Sequence, residues 1–246
     1  MAIFWLTLAS SASWFVSSLA GGGTPLILIP TIGFFLGAPA VPPVLTIGML
    51  IGHPQRVFLY WQHINWAVTA WYLPGAIIGS VLGAFTFTQI KLDWLSVLLA
   101  ICLLASTLTY SREEGKQSFF VRLWYFIPGG FVTAFLSGLI GSAGPLLNPL
   151  YLNYGLAKQQ LIATKSVNLL VIHVVKIITY WIFGALNHSH LVYGLLIGVA
   201  ALPGNWLGQM VLNRISEQRF RQFVVSFVVL SGIVLLWNEG VSQVRW

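Results

Sequence analysis

Gly21-Gly22-Gly23-Thr24-Pro25-Leu26-Ile27-Leu28-Ile29-Pro30 interrupts a long apolar stretch, and a copy one residue shorter returns as Gly141-Ser142-Ala143-Gly144-Pro145-Leu146-Leu147-Asn148-Pro149. Two further blocks recur in the same order. His53, Arg56, Tyr60 and Trp61 come back as His173, Lys176, Tyr180 and Trp181, both spelling H-x-x-[RK]-x-x-x-Y-W. Leu73-Pro74-Gly75 with Gly79 comes back as Leu202-Pro203-Gly204 with Gly208. Three matched blocks in one order mark a duplicated unit, and a duplicated unit interrupted by glycine and proline is a recurring plan in helical membrane proteins.

The sequence around the blocks fixes the solvent. Hydrophobic residues make up 57% of the 246 and charged residues 7%, against roughly 45–50% and about 25% in soluble domains. No Asp, Glu, Lys or Arg occurs from Met1 to Gln55, and further uncharged runs cover Val57–Ile90, Trp94–Ser111, Leu123–Ala157, Ile177–Asn213 and Gln222–Asn238. A helix of about 20 apolar residues crosses the hydrocarbon core, where every backbone N–H and C=O must find a partner inside the protein. The expected fold is therefore an all-α, polytopic membrane bundle. The net charge of +7 is spread over loops, which suits a lipid bilayer rather than nucleic acid. The single Cys102 rules out an internal disulfide. Met1–Ala20 has no basic leader and reads as a retained helix rather than a signal peptide.

Residues 1–110 form the first membrane repeat, 111–122 a cytoplasmic linker and 123–246 the second membrane repeat. Each repeat is expected to hold a glycine-broken segment and three longer helices. In the first these are Ile3–Leu36, Pro43–His63, Trp66–Thr88 and Leu92–Tyr110; in the second, Leu123–Tyr154, Leu161–Ala185, Leu191–Leu212 and Phe220–Asn238. If each broken segment enters and returns to one face, Arg112, Lys116, Arg122, Lys158, Lys165, Arg214, Arg219 and Arg221 share a side, leaving Lys91 and Arg245 opposite. The positive-inside rule favours that arrangement. It makes the repeats inverted, with re-entrant breaks and both termini outside.

Arg56 and Lys176 lie about 10–13 Å from the nearer end of their expected helices, at roughly 1.5 Å per residue. A charge so deep must be paired. The five acidic residues Asp93, Glu113, Glu114, Glu217 and Glu239 all fall in or beside loops. Two intramembrane cations without a carboxylate point to a mobile counter-ion, a small anionic substrate; the competing reading is that their long stems snorkel to the interface. His53 and His173 sit one turn before the cations. Imidazole titrates near neutrality, so these side chains can carry a proton, or can simply pack against a backbone carbonyl. At the breaks, Gly22, Gly23, Thr24 and Ser142, Gly144, Asn148 surround the expected start of a half-helix, whose free N–H groups and positive dipole attract anions. Asn168 adds a further donor. Close helix packing through small residues competes for these glycines, and is the stronger reading for Gly75, Gly79, Gly204 and Gly208. No residue is assigned to catalysis, to a metal or to a cofactor.

The Gly21–Pro30 block, its echo at Gly141–Pro149 and the length in two halves resemble the sulfite exporter (TauE/SafE-type) family, also called toluene sulfonate uptake permeases. The resemblance implies transport of sulfite, sulfonates or organosulfonates, coupled to protons, in a prokaryotic inner membrane. The second break departs from the pattern, with Gly-Ser-Ala-Gly in place of three glycines. Two other functions fit less well. A passive anion channel would ignore the proton gradient, and an intramembrane hydrolase would need Ser142 and His173 within hydrogen-bond reach.

Overall fold

The computed structural model describes residues 2–89, 120–220, 222–226 and 229, and all regular structure among them is helical. The expected helix Leu92–Tyr110, nearly all of the linker and most of Phe220–Asn238 lie outside the described residues. The first repeat contributes α1 (Ala2–Leu19), α2 (Thr24–Leu36), α3 (Val41–Leu59) and α4 (Trp66–Gln89). The second contributes α5 (Phe126–Ile140), a 3-10 turn (Gly144–Leu147), α6 (Asn148–Asn153), α7 (Lys158–Ile182) and α8 (His188–Leu212). Five segments among the described residues are long and apolar enough to cross a membrane: Ala2–Leu19, Trp66–Gln89, Leu123–Ile140, Lys158–Ile182 and His188–Leu212.

The two breaks are built differently. Gly21, Gly22 and Gly23 take φ of 64°, 139° and 115° in succession, a conformation that only glycine adopts without strain. Pro25 then sits in the first turn of α2, where its missing N–H leaves no bond unmade. At the second break Gly141 alone is left-handed, with φ 99°, so serine and alanine are tolerated at 142 and 143. This is the local reason why the second copy departs from the glycine triplet. The chain doubles back at both breaks. Trp5 and Ala9 of α1 share a groove with Pro30, Thr31, Phe34 and Phe35 of α2, and Leu147 and Leu150 lie over Gly129 of α5.

Packing crosses between the repeats. α1 runs along α8, and α4 along α5. Small residues let the backbones touch, because between lipid-solvated helices close van der Waals contact replaces the hydrophobic drive. A Cβ at Gly75, Gly79 or Gly83 would collide with the carbonyl oxygen of Ile127, Phe131 or Phe135 in turn, and one at Gly204 or Gly208 with Ser11 or Ser18. Both sets advance in the same direction along the two helices, so each pair is parallel. Ser10 and Ser11 add hydroxyl bonds to the Ile197 and Ala200 carbonyls, at 2.7 and 2.6 Å. α3 packs on α8 as α7 packs on α4, and α3 meets α7 directly. Exchanging the repeats therefore maps the pairing pattern onto itself. The outer faces carry exposed Ile78, Leu82, Ile178, Leu195 and Val199, and the end-placed Trp61, Trp66 and Trp181 are exposed too, as lipid-facing surface and interfacial belts require.

One expectation fails here. Lys165, expected among the loop cations, lies in α7 and is only 5% exposed. The helix starts at Lys158 and folds its first turns inward, which removes one charge from the basic loops and adds it to the interior.

Candidate functional site

The two repeated cations turn inward and cap the ends of the broken helices. Gly52 has no Cβ, which leaves room for the Trp14 ring, and the Arg56 guanidinium lies 4.5 Å above that ring. Its N–H groups donate to Asn205 Oδ1 at 2.6 Å, Ser17 Oγ at 3.1 Å, the Trp14 carbonyl at 2.8 Å and Ser18 Oγ at 2.9 Å. Trp14, Ser17 and Ser18 belong to the last turns of α1, whose negative dipole end favours a cation. Lys176 does the same for α5, donating to Ser137 Oγ at 3.2 Å and to the Gly141 carbonyl at 2.5 Å. Ser17 and Ser137 hold matching positions in the repeats. Both cations are buried, Arg56 at 4% and Lys176 at 0% exposure, so neither snorkels.

Asn205 is a residue that sequence reading missed. Its Nδ2 donates to the Gly52 carbonyl and to Gln55 Oε1, both at 3.0 Å, which points Oδ1 at Arg56. Lys165 was missed as well, although it lies about three turns before Lys176 on the same stripe of α7 at 3.6 residues per turn. Its Nζ donates to the Gly21 carbonyl at 2.5 Å and to Asn148 Oδ1 at 2.6 Å. A Cβ at Gly22 would lie 2.5 Å from that nitrogen, so the glycine makes room for the ammonium. Every one of these hydrogen bonds from Arg56, Lys165 and Lys176 ends on a neutral oxygen.

A cavity of about 20 Å³ opens between the breaks. Gly22, Gly23 and Thr24 line it at the start of α2, Ser142 and Gly144 face them from the second break, and His53, Arg56, Lys165 and Ser166 close it. A space of roughly 10–15 Å³ admits one water, so an anion of several atoms enters only as side chains move. Lys176, His173, Asn148 and Asn168 do not line it. Asn148 stands behind Lys165, and Asn168 Nδ2 donates to the Tyr151 hydroxyl at 2.9 Å. His53 and His173 stack across the junction of the repeats, with centroids 5.5 Å apart and planes 15° from parallel. Trp14 meets His53 edge-on at 5.1 Å. All four ring nitrogens are buried without a hydrogen-bond partner, so neither histidine is the carbonyl-bonded packing residue that the sequence left open.

The model of the sulfite exporter TauE/SafE family matches residues 6–235. The chain belongs to that family. No curated protein and no solved structure matches it. The TauE/SafE match spans both repeats and the linker, well beyond the glycine blocks that first carried the resemblance. With the apolar helices it makes the chain a multi-pass membrane protein of an exporter-type transport family. The hydrolase alternative lacks its dyad, since both ring nitrogens of His173 are free of any bond to Ser142.

Proposed function

We propose that this TauE/SafE protein is a proton-coupled secondary transporter of small sulfur-containing oxyanions, namely sulfite, sulfonates or organosulfonates, in the cell inner membrane. One observation carries the reading: three buried cations bonded only to neutral oxygens converge on the two glycine breaks, where a cavity is lined by the unpartnered His53 imidazole and by Thr24, Ser142 and Ser166. Neutral side-chain oxygens and backbone carbonyls satisfy the donors, but they cannot neutralise the charge, so the interior retains a positive potential that draws an anion. Arg56 and Lys176 supply that potential from each repeat. Gly23, Thr24, Ser142 and Gly144 face the anion, and His53 and His173 carry the proton.

Alternating access runs between inverted repeats with both termini outside. Two features support this. α8 starts where α7 ends, and α5 with α6 doubles back to the side from which α7 starts. α1, parallel to α8, then begins opposite α5. In addition, Arg122, Arg214 and Arg219 fall on one side in this topology, as the positive-inside bias asks of a cytoplasmic face. With Cys102 replaced by serine, cysteines at Phe120 and Glu217 are expected to label from the cytoplasmic side only. Labelling from opposite sides defeats the topology.

The function itself is tested by uptake of sulfite and alkylsulfonates into proteoliposomes, with and without an imposed pH gradient. Gradient-stimulated flux of one of these anions is the expected result. Flux indifferent to the gradient makes the protein a passive channel, and no flux of any sulfur oxyanion removes the substrate class.

A further inference from the structure

We infer that the pathway holds a single anion site, centred on the start of α2 at the first break, and that Lys165 is the cation that contacts the anion. The inference rests on the transport reading above and narrows it to one side of a duplicated structure.

The two repeats are asymmetric at one matched position. Lys165 and Leu45 precede their respective histidines, His173 and His53, by the same interval, so they hold equivalent positions. Each packs against the break of the other repeat: Lys165 against Gly21 and Gly22, Leu45 against Gly141. The ammonium group thus bonds the first break at the Gly21 carbonyl, while the matched position brings only an isobutyl group to Gly141. The helices beyond the breaks differ in the same sense. α2 runs for 13 residues from Thr24, long enough to present aligned amide dipoles at its start. After the second break come a four-residue 3-10 turn and the six-residue α6, too short and irregular for that. The cavity lies at the start of α2, and His53, 3% exposed with both ring nitrogens unpartnered, lines it.

Bonding and position together sort the three cations by role. Arg56 is tied to four groups and Lys176 to the end of α5, which makes both positioning residues. An ammonium group has three N–H donors; Lys165 and Lys176 each spend two of them, and of the two lysines Lys165 is the one that lines the cavity. A primary amine on a flexible stem can leave the Gly21 carbonyl and swing toward an oxyanion without unmaking a helix end. A pyramidal SO3 head has three oxygens for three kinds of donor: the Lys165 ammonium, the amides that open α2, and the hydroxyl and imidazole groups of Thr24, Ser142 and His53.

The test is calorimetric titration of sulfite and methanesulfonate into the purified full-length protein in nanodiscs. Wild type is expected to bind one anion per chain. Lys165→Gln is expected to weaken binding by at least about tenfold, a loss of one charge-assisted hydrogen bond, while Lys165→Arg keeps most of the affinity. Lys176→Gln, if folded, is expected to lose clearly less affinity than Lys165→Gln, because its ammonium acts on the anion only at a distance; an equal loss in the two variants overturns the inference. Two anions per chain, or Lys165→Gln at wild-type affinity, overturns the inference. Should Lys165→Gln fail to fold, Thr24→Val and Ser142→Ala remove a hydroxyl each without uncovering a charge; a several-fold loss in either supports the site and wild-type affinity in both overturns it. If wild type binds neither sulfur anion but takes nitrate or thiocyanate with the same dependence on Lys165, the substrate class falls and the site stands.

Discussion

At the first break three consecutive glycines carry the chain through left-handed conformations into a 13-residue helix, and a lysine from the other repeat leans on them. At the second, one left-handed glycine leads through a 3-10 turn into a six-residue helix, and the matching residue that leans on it is a leucine. The shared element is the reversal itself and the cation that caps the helix before it. The difference shows which features of a duplication are bound by geometry. A buried reversal leaves polar groups near a helix end without water, so both copies keep a basic residue to bond them. Beyond the reversal the chain is free to diverge.

That contrast can be broken most sharply at the glycines. Gly22→Ala forces an alanine to φ 139° and places its Cβ 2.5 Å from Lys165 Nζ. The expected cost is roughly 1–3 kcal/mol of backbone strain, with transport lost in the proteoliposome assay. Gly144→Ala, across the cavity, puts its Cβ 3.5 Å from Lys165 Cε, an ordinary contact, with no left-handed φ to strain. It is expected to stay within about 0.5 kcal/mol of wild type in thermal stability. Equal damage from the two substitutions would make the breaks equivalent after all.

The capping cations come next, with a comparable expected effect on stability. Arg56→Gln unties α1, α3 and α8 together, because the guanidinium joins Trp14, Ser17 and Ser18 to Asn205. Lys176→Gln unties only α5 from α7. Each is expected to lose about 1.5–3 kcal/mol of folding stability through charge-assisted bonds, the arginine variant more, as read from the melting temperature in detergent. Lys176→Arg is expected to recover part of its loss. A larger drop for Lys176→Gln than for Arg56→Gln would reverse the assigned order.

The smallest effect on stability, and the most informative about coupling, is expected from the stacked imidazoles. Neither ring makes a hydrogen bond, so His53→Gln and His173→Gln forfeit only ring packing and are expected to melt close to wild type. Anion affinity is expected to survive in His173→Gln, while the response of flux to a pH gradient disappears. An unchanged gradient response in both variants would place the proton on the substrate, as bisulfite, instead of on the protein.

Much of this was legible residue by residue. The apolar runs, the three repeated blocks and the absence of an intramembrane carboxylate from the sequence led to a helical membrane protein with Arg56 and Lys176 buried in matching places. The family resemblance rested on Gly21–Pro30, and the match over residues 6–235 bears it out. Among the described residues the helix boundaries came within a few residues, Pro43–His63 against Val41–Leu59 being typical. Lys165 was misplaced because four residues past an expected helix start looks like a loop on paper. Asn205 left no mark at all, since an asparagine one residue past a G-x-x-x-G glycine carries no period and no repeat partner.

The sequence by itself determined the solvent, the duplication and the points of reversal, because transfer of apolar side chains into lipid and the steric freedom of glycine are properties of short stretches of chain. Only the tertiary structure decided which oxygen each cation takes, and which lysine reaches the cavity. Arg56 meets Asn205 and Lys165 meets Gly21 across more than half of the chain, and His53 reaches His173 only where the repeats join. Hydrogen bonds act over about 3 Å of space, a separation that no spacing along the sequence encodes.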